Sequence, residues 1–182
     1  MSTIKKSAVF SNCRKYRYSL TRSWNSANGY VLFIGLNPSI ADETIDDPTL
    51  IRCINFAKDW GYGGLIMVNL FAYMSTYPME LKKVKLPIGK DNNIHILKNY
   101  RKSELTVVAW GNDGYFLNRD KEVLEIINKP MCLNINKSGQ PAHPLYQKKD
   151  QGLINFVNPS YLPYINPIQT NTNKVINHLF II

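Results

Sequence analysis

Asn37, Asn69 and His143 are the residues whose type and setting could do chemistry. Asn37 stands in Gly35-Leu36-Asn37-Pro38-Ser39, directly after the apolar run 30–34 (YVLFI). Asn69 closes a second run, 65–68 (LIMV), and His143 sits in the Gly/Pro-rich stretch 136–146. An asparagine amide donates and accepts hydrogen bonds in fixed geometry, and a histidine does either near neutral pH. Together they describe an uncharged pocket suited to reading the edge of a heterocycle. No Ser/His/Asp triad and no pair of carboxylates accompanies them. Each residue also has a purely local reading: a turn at Asn37-Pro38, a loop cap at Asn69, a loop histidine at 143.

Such a pocket needs elements that bring positions 37, 69 and 143 to one place. Runs 30–34 and 65–68, with 105–110 (LTVVAW) and 131–135, have the continuous apolar character of strands covered on both faces. Between the first two, Asp47 reads as an N-cap and Pro48 as the first helical residue. Ile51, Ile54, Phe56, Ala57 and Trp60 follow with helical spacing, and Gly61, Gly63 and Gly64 end the helix. Further helices are expected over 90–102, with Ile94, Leu97 and Tyr100 inward, and over 116–128, after a loop at 70–90. Strands alternating with helices predict a three-layer α/β/α sandwich around a four-stranded parallel sheet. Ligands bind such sheets beyond the carboxyl ends of the strands. Asn37, Asn69, the Trp110-Gly111 pair and His143 should therefore share one rim.

Composition narrows the class. The chain has 182 residues, enough for one domain over 1–182, with an N-terminal edge element at 1–29 and a C-terminal extension at 156–182. Hydrophobic residues make up 45%, which supports a buried core. No apolar run is long enough to span a membrane, and no apolar stretch follows the first lysines as in a secretory leader. Cys13, Cys53 and Cys132 form no CxxC pair, which argues against a zinc knuckle or a four-cysteine cluster and suits a reducing cytoplasm. Lys and Arg exceed Asp and Glu by 22 to 13, a net charge of +9. That excess is spread along the chain and would steer a polyanion. Asp42, Glu43, Asp46 and Asp47 read either as a hard-cation site or as a solvated loop ending in a helix cap; the second is preferred, and no metal or other cofactor is expected. Tyr16, Tyr18 and Trp24, interleaved with arginines, read either as a stacking platform or as edge aromatics.

The motifs also show a resemblance. YVLFIGLNPS resembles the first motif of the uracil-DNA glycosylase superfamily, GLIMVNLFAY its second strand, and QPAHPLY its late H-P-S-P-L loop. The three occur in the same order over residues 30–146. The chain, with its DDPT and WGYGG segments, is also similar to a domain family of unknown function from bacteria and mobile elements. The first resemblance implies a uracil-DNA-glycosylase-like fold and a hydrolase that flips uracil, or a related base, out of DNA and cuts its N-glycosidic bond in base-excision repair. It implies that Asn37 places the attacking water, that Asn69 bonds the base at N3–H and O4, and that His143 donates to O2. Gly35, Leu36, Pro38 and Ser39 would complete the base pocket. Leu145 would fill the vacated stack, with Arg52, Gln140, Pro144 and Tyr146 on the DNA.

Three departures stand out. Asn37 occupies a position where the fastest members carry Asp, which implies slow turnover. Ser39 replaces the Tyr that blocks thymine's methyl in some members. No aromatic lies between Ser39 and Cys53, so Phe71 or Tyr73 is expected to stack on the base. The expected partner is single- or double-stranded DNA containing uracil, bound by a monomer. The competing readings are a non-catalytic binder of modified bases on the same fold and a nucleoside or nucleotide hydrolase.

Overall fold

The computed structural model describes residues 3–157. Among them, seven strands form one sheet in the order β1-β2-β4-β3-β5-β6-β7. The strands are β1 (Lys5–Phe10), β2 (Arg17–Ser23), β3 (Val31–Gly35), β4 (Gly64–Asn69), β5 (Leu105–Val108), β6 (Met131–Cys132) and β7 (Ile154–Asn155). The four adjacent strands β4-β3-β5-β6 are parallel. The expected four-stranded parallel sheet is thus corrected to a seven-stranded mixed one. The hairpin β1–β2 adds two antiparallel strands beside β4, and β7 caps β6. Alternating, half-exposed strands such as β1 carry a weaker sequence signal than continuous apolar ones, and β7 has two residues.

The helices are α1 (Pro48–Asp59), α2 (Pro78–Leu81), α3 (Asn92–Lys102) and α4 (Arg119–Ile126). Side chains alternate across a strand, so β3 feeds two cores. Val31 and Phe33 pack with Leu50, Cys53, Ile54, Phe56 and Ala57 of α1. Leu32 and Ile34 pack on the opposite face with Ile96 of α3 and Val123 of α4. The sheet is therefore sandwiched between α1 and the α3–α4 pair. Several boundaries shift from expectation. The helix expected from 116 starts at Arg119, because Leu117 and Asn118 adopt left-handed conformations (φ 57° and 54°). Ile94 is exposed and Ile96 takes the inward position on α3. Strands β5 and β6 end sooner than the apolar runs that contain them. Of the expected extension 156–182, Phe156 packs in the core beside Trp110, and residues 158–182 lie outside the described residues.

The hairpin has a positioning role. Arg22 is fully buried and bonds Asp46 Oδ1 (2.7 Å) and the carbonyls of Asp42 (2.6 Å) and Thr21 (3.0 Å). Lys6 reaches Asp46 (2.8 Å) and the Thr44 carbonyl, and Arg14 reaches Glu43 (3.1 Å). These contacts strap loop 39–47 onto the sheet. Without Arg22, Asp46 keeps Lys6, but the carbonyls of Asp42 and Thr21 lose their donor and a fully buried side chain leaves a void. Arg22→Ala is expected to destabilise the chain by about 3 kcal/mol in urea denaturation; a loss under about 1 kcal/mol would mean the strap is solvated rather than structural.

Candidate functional site

Asn37, Asn69 and His143 line one cleft of about 440 Å³. It opens beyond the carboxyl ends of β3, β4 and β5. Chain connections leave β3 toward β4 and leave β5 toward β6, so the strand order reverses between β3 and β5 and opens a crevice there. Phe33, Leu20 and Met67 also line it, together with Leu50 and Cys53 of α1.

Asn69 ends β4 opposite Gly35 in parallel register. Its side chain is nearly enclosed (4% exposed), yet it makes no hydrogen bond among the described residues. Its backbone carbonyl is fixed by Asn92 Nδ2 at 3.0 Å. Gly35 is required by close approach: a Cβ there would lie 2.7 Å from Asn69 Nδ2. The result is a buried amide with one donor group and one acceptor facing open volume. With no protein partner, the amide is left to bond water in the cleft, and a ligand with matching groups can replace that water.

Asn37 is held differently. Its Nδ2 donates to the carbonyls of Ser75 (2.6 Å) and Pro38 (3.1 Å). Those two acceptors settle which way the amide points, leaving Oδ1 as the group it offers. Ser75 N–H in turn donates to the Pro38 carbonyl at 2.9 Å. Ser75, in the stretch expected to be plain loop, is thus a positioning residue for Asn37.

His143 Nδ1 accepts from Leu145 N–H at 3.4 Å, which places the neutral ring's proton on Nε2. Burial holds this imidazole below its ordinary 6.5, against the opposing charge of Asp47. Gly111, at φ 76°, brings the turn after β5 beside it, within 3.8 Å of the His143 Cβ were a side chain built there. The ring of Tyr146, 81% exposed, lies 5.6 Å away and also lines the cleft.

The other expected site residues divide. Gly35, Leu36, Ser39, Pro144 and Tyr146 line the cleft; Pro38, Phe71, Tyr73, Arg52, Gln140 and Leu145 do not. Phe71 is fully buried against Phe116, and Tyr73 meets Tyr16 edge-on, so the expected stacking role is corrected for both. Gln140 is also corrected from a DNA contact to a buried link: it accepts from Trp110 Nε1 (2.6 Å) and donates to Asp120 (2.6 Å). Arg52 is directed inward, donating to the Gln147 carbonyl and lying over Phe56. Leu145 is partly exposed beside the cleft. Tyr18 stacks on His95 at 4.8 Å and Trp24 Nε1 bonds the Tyr62 carbonyl, so both serve as edge aromatics.

Three charged residues in the cleft were not expected there, Asp47, Arg17 and Asp113, the last facing Lys82 at 3.9 Å. Asp47 caps α1, its Oδ1 accepting from Leu50 N–H at 2.7 Å. A signal for it existed, because a helix following a parallel strand begins at that strand's carboxyl end. The other acidic residues of this loop are taken up by protein groups. Asp42 accepts from Thr44 and Ile45 N–H, while Glu43 and Asp46 meet arginine and lysine. No group of three or more His, Cys, Asp or Glu side chains poised for a metal occurs among the described residues.

The fold and cleft define an α/β protein with a half-polar pocket at the carboxyl edge of a mixed sheet. The chain belongs to the family described as "Protein of unknown function (DUF1643)", which matches residues 17–145. That span contains Asn37, Asn69 and His143. No curated protein and no solved structure matches the chain. No helix among the described residues is long and apolar enough to cross a membrane.

Proposed function

We propose that the cleft binds a pyrimidine base and hydrolyses its N-glycosidic bond, as a uracil-DNA-glycosylase-like enzyme acting on DNA. The observation that carries this reading is the nearly enclosed Asn69, its amide without a protein partner, meeting Asn37 and His143 in one cleft. Uracil offers an N3–H donor beside an O4 acceptor, the complement of an asparagine amide. Asn37 Oδ1 is left free to accept a hydrogen bond from a water and hold it near the sugar. The glycosidic bond breaks through an oxocarbenium-like state, and the electron pair stays on the departing base. A neutral His143 with its proton on Nε2 donates to the base's O2 as that charge grows. The Asp47 carboxylate lining the same cleft supplies the negative charge that Asn37 lacks. The net charge of +9 favours a polyanionic substrate.

A cleavage assay tests the reading: a uracil-containing oligonucleotide is incubated with the protein and then treated with hot alkali. Strand scission that persists in EDTA supports it; binding without scission favours the non-catalytic module. Activity needs the uncharged imidazole, so the pH profile carries information. Burial keeps His143 neutral below its ordinary 6.5. The rate is expected to stay level down to that pH and to fall only below it. Asp47 raises the His143 pKa, so Asp47→Asn should move the acidic limb to lower pH. A limb that stays put or moves upward would show that the two groups are not coupled.

A further inference from the structure

We propose that Arg17 is a seat for a nucleotide phosphate inside the same cleft, so that the pocket takes a nucleotide and not a base alone. The inference rests on the base-reading role above for what fills the rest of the cleft. Arg17 opens β2, which runs antiparallel to β4, so its first residue stands at the rim where β4 ends. Its backbone N–H bonds the Ala72 carbonyl, just past Asn69. The side chain is 4% exposed and lines the cleft with Asn37, Asn69 and Asp47. One guanidinium nitrogen donates to the Ala41 carbonyl, while the buried Nε has no partner.

Arg22, five residues further along the strand, shows what a structurally satisfied arginine looks like here: it meets a carboxylate and several carbonyls. Arg17 makes no ion pair among the described residues. Burial lowers its pKa to about 10, against the attraction of Asp47 and Asp42 and with Arg22 adding to the fall. The cleft thus contains a dehydrated cation without a counter-ion in contact. A guanidinium matches phosphate oxygens better than any other side chain does. Asp47 lines the same cleft, and one of its oxygens is already engaged by α1. The phosphate could belong to a free nucleotide or to a nucleotide turned out of a strand.

The test is calorimetric titration of the full chain with deoxyuridine, deoxyuridine monophosphate, inorganic phosphate and a trinucleotide centred on 2′-fluorodeoxyuridine, which resists glycosidic cleavage. The monophosphate should bind about tenfold or more tightly than the nucleoside. Arg17→Gln should remove that gain and leave nucleoside affinity within about threefold. A trinucleotide that matches or exceeds the monophosphate identifies a strand as the source; a monophosphate that binds more tightly identifies a free nucleotide. Equal binding of nucleoside and monophosphate by the wild type overturns the phosphate seat while leaving base recognition standing. Phosphate binding that Arg17→Gln abolishes, without nucleoside binding, keeps the seat and sinks the base reading. Absence of binding by both phosphate and monophosphate overturns the seat. If Arg17→Gln does not fold, the wild-type comparison decides alone.

Discussion

His143→Ala is expected to slow base release by roughly 100- to 1000-fold, the cost of losing one preorganised donor to a developing oxyanion. The size follows from the setting. The imidazole is held in one tautomer by Leu145 N–H, kept uncharged by burial, and seated beside Gly111 at the rim. It need not reorganise as charge appears on the base, whereas water would. Circular dichroism and the urea midpoint should change little, because the ring supports no buried network. Single-turnover cleavage of a uracil-containing oligonucleotide measures the effect. A rate within about threefold of wild type would remove His143 from the chemistry.

Asn69→Ala is expected to lower kcat/KM by about 100-fold and to flatten discrimination between uracil and bases lacking its N3–H and O4 pattern. Two hydrogen bonds at about 0.5–1.5 kcal/mol each account for one part. The rest comes from leaving the ligand's own polar groups unpaired in a site with little access to water. Stability should hold steady or rise, because the native protein already leaves this amide without a partner among the described residues. That pairing of lost activity with undiminished stability separates a recognition role from a structural one. A marked fall in melting temperature would assign Asn69 to the fold instead.

Much of the architecture was legible because the strands that matter are continuously apolar. Residues 31–35 and 64–69 are covered on both faces, and only strands inside a two-sided sandwich have that character. The α1 start was equally plain: Asp47 followed by Pro48 satisfies both the capping bond and the fixed φ of a first turn. Knowing that these strands are parallel puts their carboxyl ends on one side, which is why Asn37, Asn69 and His143 could be expected at a common rim. The outer strands were harder. Strands β1 and β7 are short or half exposed, and their pairing depends on which edge remains open once the parallel core has formed.

The residue types and their order by themselves determined a buried parallel core, a helix capped at Asp47, and three polar side chains at strand ends or in the late loop. Tertiary structure alone decided which neighbours those side chains meet. Gln140 turned inward because Trp110 and Asp120 offered it both an acceptor's and a donor's partner. Phe71 was claimed by the core. Arg17 and Asp47, thirty positions apart, came to face one cleft because β2 runs opposite to β4 while α1 starts where β3 ends. Periodicity reports the face a residue occupies within its own element. Which charges share a cavity depends on how elements distant in the chain are packed, and no local pattern encodes that.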